Sequence, residues 1–394
     1  MSGLVAKVGP EGPEDFEQLA IKRLNEGRVK EGLKLMLRAA KGYEDEGKTS
    51  DAARLYKYLG YVLLKNTGAI GKARPSLLKS AYLYLDLIDE EISRPEVDID
   101  ALDEYCFNVL EIFATLEERE TLVKYAEEFA AIYEDLGNSY QENADIEMAI
   151  RAYESAYRYY LLVENIEGYR RIAEILITLY GQIAEARLEK NDPRGAAEAF
   201  YRLAYFILAI FGYDLHFMEM MDTAAKNFEK ASKVAYSNGD LDGTTSCLVK
   251  AQYAYLLAKN FNRAKLIGLN TARMLYQVVT SYRSRGEEEK AALKLVELTE
   301  TLMGIGKINE AMETYRSALE SRSDLMFRVR VRLAALKRHA ALKGSKEVMD
   351  RIEAIEYYLN RRNYTKALEL AENAMASDEL IEILEKIHET EGVY

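Results

Sequence analysis

The residues whose types could do chemistry each lack the complement that chemistry requires. His216 stands in "FGYDLHFMEMMD" with Asp214, Glu219 and Asp222 nearby, and His216 and Glu219 could share a helix face and start a metal site. The other histidines, His339 and His388, lie far along the chain, so no second His completes a ligand spacing. "DLIDEE" places Asp86 and Asp89 as a D-x-x-D pair, oxygen ligands of the kind that hold Mg²⁺ on a diphosphate. That chemistry needs a second acidic motif on a facing helix and a basic phosphate site, and neither is visible. The acidic run through Asp98, Asp100, Asp103 and Glu104 lacks the central Gly of an EF-hand loop and reads as a solvated helix start. No phosphate-binding loop, dinucleotide fingerprint, nucleophile elbow or H-E-x-x-H occurs. Cys106 and Cys247 are too few for a disulfide framework and suit a reducing cytoplasm, as buried spectators. The expectation is no enzyme, no catalytic residue, no metal and no cofactor. The alternative is an all-helical enzyme or ligand-binding protein with a metal or diphosphate site near Asp86/Asp89 or His216.

Tyrosine offers a different chemistry. The stretch 133–160, "YEDLGNSYQENADIEMAIRAYESAYRYY", holds six of the chain's 29 tyrosines, and there is no tryptophan. Base stacking would need these rings interleaved with Lys and Arg, but Tyr133 and Tyr140 sit among Glu134, Asp135 and Glu142. A net charge of −12 also removes the basic footprint of a nucleic-acid binder. The rings therefore read as packing between helices, with the hydroxyl on a polar partner. One basic segment runs against the average. "RVRVRLAALKRHAALK" carries Arg328, Arg330, Arg332, Lys337, Arg338 and Lys343. Arg328 and Arg332 share a face at i, i+4, while Val329, Leu333 and Leu336 form the apolar side. It is expected to be an amphipathic helix whose charged face is either solvated or a docking strip for an acidic partner; contact with a membrane surface or RNA is a further possibility. The final "SDELIEILEKIHETEGVY" puts Leu380, Ile381, Ile383, Leu384 and Ile387 on one stripe of an acidic helix, to cap the array or dock a partner.

These side chains must be positioned by helices. Prolines number five, strand-like alternation is absent, and Ala, Leu, Glu, Lys and Arg dominate. Short turn signals delimit roughly eighteen helices of mostly 14–24 residues. In "NDPRG", Asp192 is a helix N-cap and Pro193 the first helical residue. Hydrophobic residues at 49% suffice for a large core. The start has no signal-peptide pattern, and the longest apolar run, 203–213, is too short to span a bilayer. Scarce Gln and Cys with abundant Lys, Glu and Arg lean thermophilic. A spacing of Ala, an aromatic four on and a small or apolar residue three further recurs at Ala52/Tyr56/Leu59, Ala101/Tyr105/Asn108, Ala149/Tyr153/Ala156, Ala197/Tyr201/Ala204, Ala224/Phe228/Ala231 and Ala311/Tyr315/Ala318. The first four begin 48 or 49 residues apart. The expected organisation is a flexible tail at 1–13, one solenoid at 14–376, and a C-terminal capping or docking helix at 377–394.

Tyr133, Leu136, Gly137, Tyr140, Ala149, Tyr153 and Ala156 resemble the tetratricopeptide (TPR) pattern, with an aromatic in place of its first Trp. Tyr43, Gly47, Ala52 and Tyr56, and the stretch 304–319, repeat the theme. The resemblance implies an all-α, right-handed α-solenoid of about eight TPR-like helix hairpins. The period of about 48 departs from the 34 of that family. Long, Tyr- and Ala-rich hairpins such as 41–65 are similar to the soluble NSF attachment protein (SNAP) family. This implies an adaptor that grips an acidic helical bundle and presents it to a hexameric AAA ATPase. In some TPR proteins, Lys, Asn and Arg clamp a peptide's terminal carboxylate. Asn138 matches one such Asn, but Glu134 stands where the Lys is needed and would repel a carboxylate. The expected function is a protein-binding scaffold in the cytoplasm, with Arg328, Arg332, Lys337, Arg338, Asn138 and Gln141 as partner contacts.

Overall fold

The computed structural model describes residues 12–322, 324–373 and 378–391. Most of the expected N-terminal tail lies outside these residues, and Pro13 already begins a helix. Among the described residues there are eighteen helices and no strand. They are α1 (Pro13–Asn25), α2 (Val29–Asp45), α3 (Thr49–Thr67), α4 (Ile70–Ile92), α5 (Ile99–Thr115), α6 (Arg119–Glu142), α7 (Ile146–Leu162), α8 (Ile166–Glu189), α9 (Pro193–Phe211), α10 (Leu215–Ser237), α11 (Leu241–Leu257), α12 (Phe261–Ser284), α13 (Glu288–Gly304), α14 (Ile308–Ser321), α15 (Leu325–Lys343), α16 (Lys346–Asn360), α17 (Tyr364–Glu372) and α18 (Asp378–Glu391).

The joints repeat as regularly as the helices. After most helices one residue turns left-handed, and its N–H and the next one bond back into the last helical turn. Ala144 donates to the Gln141 carbonyl at 3.1 Å and Asp145 to that of Tyr140 at 2.9 Å. This satisfies carbonyls that the helix end leaves without partners. Glycine supplies the conformation at Gly239 and Gly306, but Ala144, Glu164, Asn191 and Lys259 adopt it with φ of 54–59°, at a steric cost of roughly 1–2 kcal/mol each. Ala144 to Asn191 and Lys259 to Gly306 are 47 residues, and Asn191 to Gly239 is 48. Helices α5, α7, α11 and α13 have 17 residues, while α6, α8 and α12 have 24. The repeat is therefore a short helix and a long one.

The chain divides into two compact units, 1–172 and 173–394, with the division inside α8. In the first unit each helix packs on its chain neighbours, α1 on α2 through α6 on α7. Ala149 and Ala156 are fully buried, Tyr153 is 1% exposed, and a Cβ added at Gly137 would stand 2.7 Å from the Tyr153 ring. The ring thus fills the space that glycine leaves. One register requires correction. At the second repeat the packing positions are Leu102, Cys106 and Val109, all fully buried, in place of Ala101, Tyr105 and Asn108. The reason is the cap. Asp98 accepts from the N–H groups of Asp100 and Ala101, and it lies 47 residues before the matching cap Asp145.

In the second unit, neighbour-on-neighbour packing runs to α14 and then changes. Helix α15 turns back across α11 and α13, and α16, α17 and α18 also pack against it. The all-α class and the hairpin repeat expected from the sequence hold, but α15 to α17, which fall within the expected solenoid, fold back on the stack, and α18 lies where a capping or docking helix was expected.

Gly137→Ala, or Ala156→Leu, is expected to overpack the α6–α7 crossing and destabilise the protein by roughly 1–3 kcal/mol. Denaturant unfolding of each variant against the wild type measures this, with unchanged midpoints counting against the assigned crossing.

Candidate functional site

The basic segment is where the structure departs furthest from the sequence reading. Helix α15 is buried on nearly all sides, and Arg332 is 0% exposed. Its guanidinium donates to both oxygens of Glu391 on α18, at 2.6 and 2.8 Å. Arg330 makes the same two-pronged contact with Glu300 on α13, at 2.7 and 2.9 Å. Lys337 pairs with Glu356 on α16 at 2.6 Å and lies over the Tyr253 ring of α11. Arg338 donates to the Gly304 carbonyl. Arg328 keeps a partly exposed side chain, 4.0 Å from Glu391, and Lys343 at the end of the helix is exposed. The segment is thus a buried helix whose charges meet carboxylates of the chain itself, because five helices surround α15 and leave it no solvated face.

Arg332 belongs to a device that recurs through the molecule: one carboxylate shared by a tyrosine hydroxyl and an arginine from different helices. Glu17 on α1 accepts from Tyr43 on α2 at 3.0 Å and from Arg54 on α3 at 2.8 Å. Glu134 on α6 accepts from Tyr160 on α7 at 2.8 Å and Arg171 on α8 at 2.7 Å. Glu229 on α10 accepts from Tyr255 on α11 at 2.6 Å and Arg263 on α12 at 2.5 Å. Glu391 on α18 accepts from Tyr315 on α14 at 2.7 Å and from Arg332. Asp242 forms a variant with Tyr282 at 2.7 Å and Lys294 at 3.0 Å.

Protonation follows from this geometry. Burial would raise the carboxyls of Glu134, Glu229 and Glu391, but hydrogen bonds from arginine and tyrosine outweigh it and hold them below their ordinary value. Burial and the neighbouring carboxylate push the Tyr43 and Tyr160 hydroxyls up to about 12. Each tyrosine therefore stays a donor and each carboxylate an acceptor at neutral pH. Sequence reasoning missed these glutamates, although in three clasps Glu and Tyr stand 26 residues apart. Glu134, read as a group that would repel a peptide carboxylate, is saturated by Arg171 and Tyr160.

Asn138 and Gln141 are exposed on α6, with their side-chain oxygens 2.7 and 3.1 Å from the Tyr153 hydroxyl. A hydroxyl has one proton, so one of the two amides must turn its NH₂ toward it. His216 is largely exposed and meets Asp214, the cap of α10, at 3.1 Å. Asp86 and Asp89 are exposed on α4. Among the described residues no group of three or more His, Cys, Asp or Glu could hold a metal ion, so geometry lends nothing to the enzyme alternative at these positions. A cleft of about 460 Å³ between α8 and α9 is lined by Tyr180, Arg187, Arg194 and Arg202, among others. Its arginines already face Asp192, Glu198 and Glu353. Cys106 and Cys247 are buried free thiols. Among the described residues, no helix is long and apolar enough to cross a membrane.

Hairpins repeated every 47–48 residues, each packed on its neighbours, define an all-α helical-repeat protein of the TPR-like solenoid class. No protein-family model matches the chain, and no curated protein matches it. Among solved structures it is similar to a circular tandem repeat protein with novel repeat topology, at 14% identity over 96% of this chain and 90% of that one, TM-score 0.25. It is also similar to the TPR domain of P58(IPK), at 17% identity over 97% and 98%, TM-score 0.17. A third likeness is yeast Tom70, at 13% identity over 97% and 96%, TM-score 0.18. The class assignment rests on the chain's own helices.

The depressed carboxyls fix a sign for acid stability. A carboxyl whose folded value lies below its unfolded value contributes stability above the unfolded value, near 4.3 for Glu, and that stability is lost as pH falls through the folded value. Replacing Glu229 by Gln is therefore expected to lower the melting temperature at pH 7 and to shrink the difference from wild type as pH falls below about 4. Thermal melting of both proteins from pH 7 to pH 3 checks this.

Proposed function

We propose that the protein is a non-enzymatic adaptor that holds a helical protein partner. One observation carries the reading: the chain already uses its own repeat array in this way. Helix α15 of the α15–α16 hairpin lies across α11 and α13. The hairpin is also tied to α9, through Arg202 to Glu353 at 3.0 Å, Tyr205 to Asp350 at 3.3 Å and Lys346 to the Ala209 carbonyl at 2.6 Å. A row of short helices thus accepts a helix hairpin by apolar packing with a few directed charges, the mode of recognition that repeat arrays offer to partners.

In the first unit the corresponding row is α3, α5 and α7, and it carries accessible charge. Lys57 reaches Asn108 and Glu111, each at 2.5 Å, and Arg151 reaches Asp100 at 2.5 Å. Arg151 and Leu162 remain exposed, the latter at 54%. This row is the face that would take a partner, with the exposed amides of Asn138 and Gln141 in the same unit as further contacts; Arg328, in the second unit, is a separate candidate contact. In its particular form the reading is a TPR/SNAP-like adaptor in the cytoplasm that grips an acidic helical bundle and presents it to an AAA ATPase. Helix length and the Tyr/Ala texture support that form.

Arg151→Glu combined with Leu162→Glu alters only exposed side chains, and an exposed ion pair such as Arg151–Asp100 is worth about 0–1 kcal/mol. The double variant is expected to melt like the wild type and to capture its partner, identified by cross-linking in the native cell, at least tenfold more weakly. Unchanged capture would remove this face from the reading.

A further inference from the structure

Helix α18 is bound in a manner that describes its own replacement. Its buried side chains are Leu380, Ile383, Ile387, Thr390 and Glu391, and four of them, Leu380, Ile383, Ile387 and Glu391, form a stripe with steps of three, four and four residues. The stripe rests on α14 and α15, while Glu372 of α17 also reaches Arg332, at 3.4 Å. At the end of the stripe, Glu391 enters a pocket made by Tyr315, Arg328 and Arg332. Arg332 is fully buried, and its Nε has no acceptor. A buried guanidinium left without its carboxylate is strongly unfavourable, so this groove demands an anion at that point whichever segment supplies it. In the clasps of Glu17, Glu134 and Glu229 the carboxylate comes from the helix just before the tyrosine's own, 26 residues earlier. Tyr315 instead takes its carboxylate from 76 residues downstream, at the end of the chain's last described helix.

We infer that the groove of α14, α15 and α17 is a receptor for an acidic amphipathic helix, and that α18 is its occupant in cis. The partner it fits is a helix of another protein that presents three aliphatic side chains followed, one turn on, by a carboxylate for Tyr315 and Arg332. The inference rests on the adaptor reading above and adds a second, regulated surface to it. Tethering gives α18 an effective concentration on the order of millimolar, so a partner helix competes only when its affinity or local concentration is high. The sequence reading placed an acidic partner on Arg328 and Arg332. In the structure the carboxylate that Arg332 meets belongs to the chain's own α18.

The test uses the full chain, a full-length Glu391→Gln variant, and a labelled synthetic peptide of residues 378–391. Glutamine keeps the shape and removes the charge, so docking in cis weakens while Arg332 remains. The peptide is expected to bind the variant at least tenfold more tightly than it binds the wild type. A peptide with Gln in place of its own Glu391 should lose that advantage. In wild-type protein, hydrogen exchange should show the amides of α18 opening ahead of those of α15. Equal or absent binding to a variant with unchanged circular dichroism, or exchange of α18 and α15 as one unit, would overturn the inference. Should the variant fail to fold, exchange in the wild type decides alone. Failure here leaves the α3–α5–α7 face standing, since the Arg151/Leu162 variant tests that separately.

Discussion

A carboxylate shared between a tyrosine and an arginine is the interaction on which this helix array depends. Hairpin packing alone leaves freedom in how successive helices are placed, because apolar burial is non-directional. A carboxylate that receives two directed donors from two further helices removes that freedom, since three elements must be correctly placed for all the bonds to form. Glu17, Glu134 and Glu229 each join three consecutive helices in this way. The tyrosine arm is the inward one: Tyr43, Tyr160 and Tyr255 are buried, so their hydroxyls must find an acceptor inside. The arginine arm is outward, with Arg54, Arg171 and Arg263 more than 40% exposed, and is the arm that salt screens.

The Glu391 clasp inverts this arrangement, and the inversion changes its meaning. There the arginine is the buried member, and a buried ion pair regains little beyond its desolvation cost. Its contribution is specificity: a helix without a carboxylate at the right turn leaves Arg332 only its longer contact to Glu372, whereas an apolar groove would accept many amphipathic helices. The same logic applies along α15, where Arg330 and Lys337 each pair with one glutamate of a different helix. Those pairs fix how α15 lies across α11 and α13, a placement that its Val, Leu and Ala contacts alone would define less sharply.

Local chemistry in the sequence was legible and long-range pairing was not. The caps show this: Asp192 bonds the Gly195 N–H at 2.9 Å, as its place before Pro193 implies. Ala149, Tyr153 and Ala156 took their packing positions because small residues beside a ring have few other uses on a helix. The second repeat was read one residue out, since Ala101 and Tyr105 mimic the pattern while Leu102 and Cys106 occupy it. Hydrophobic type alone does not separate adjacent positions when both are apolar. The basic segment failed for another reason. Its partners Glu300, Glu356 and Glu391 lie 19 to 59 residues away, and nothing local distinguishes an arginine that meets water from one that meets a distant glutamate. The clasps did leave a trace, the 26-residue step from Glu to Tyr, but it links unlike residues, and a search for repeated like residues passes over it.

These interactions bear on how such a groove could change hands. If one acidic helix replaces another, Arg332 and Tyr315 face a carboxylate before and after, so the end states differ little in electrostatic energy. The passage between them is different, because while Glu391 is away and no substitute has arrived, the buried Arg332 guanidinium keeps only the longer 3.4 Å contact to Glu372. Water entering the opened groove would lower that cost, which ties exchange to the opening of α18 as a whole and disfavours a side-chain swap in a closed groove. Among helices that supply the carboxylate, affinity would then be set by the aliphatic stripe, whereas the rate of exchange would be set by the charge.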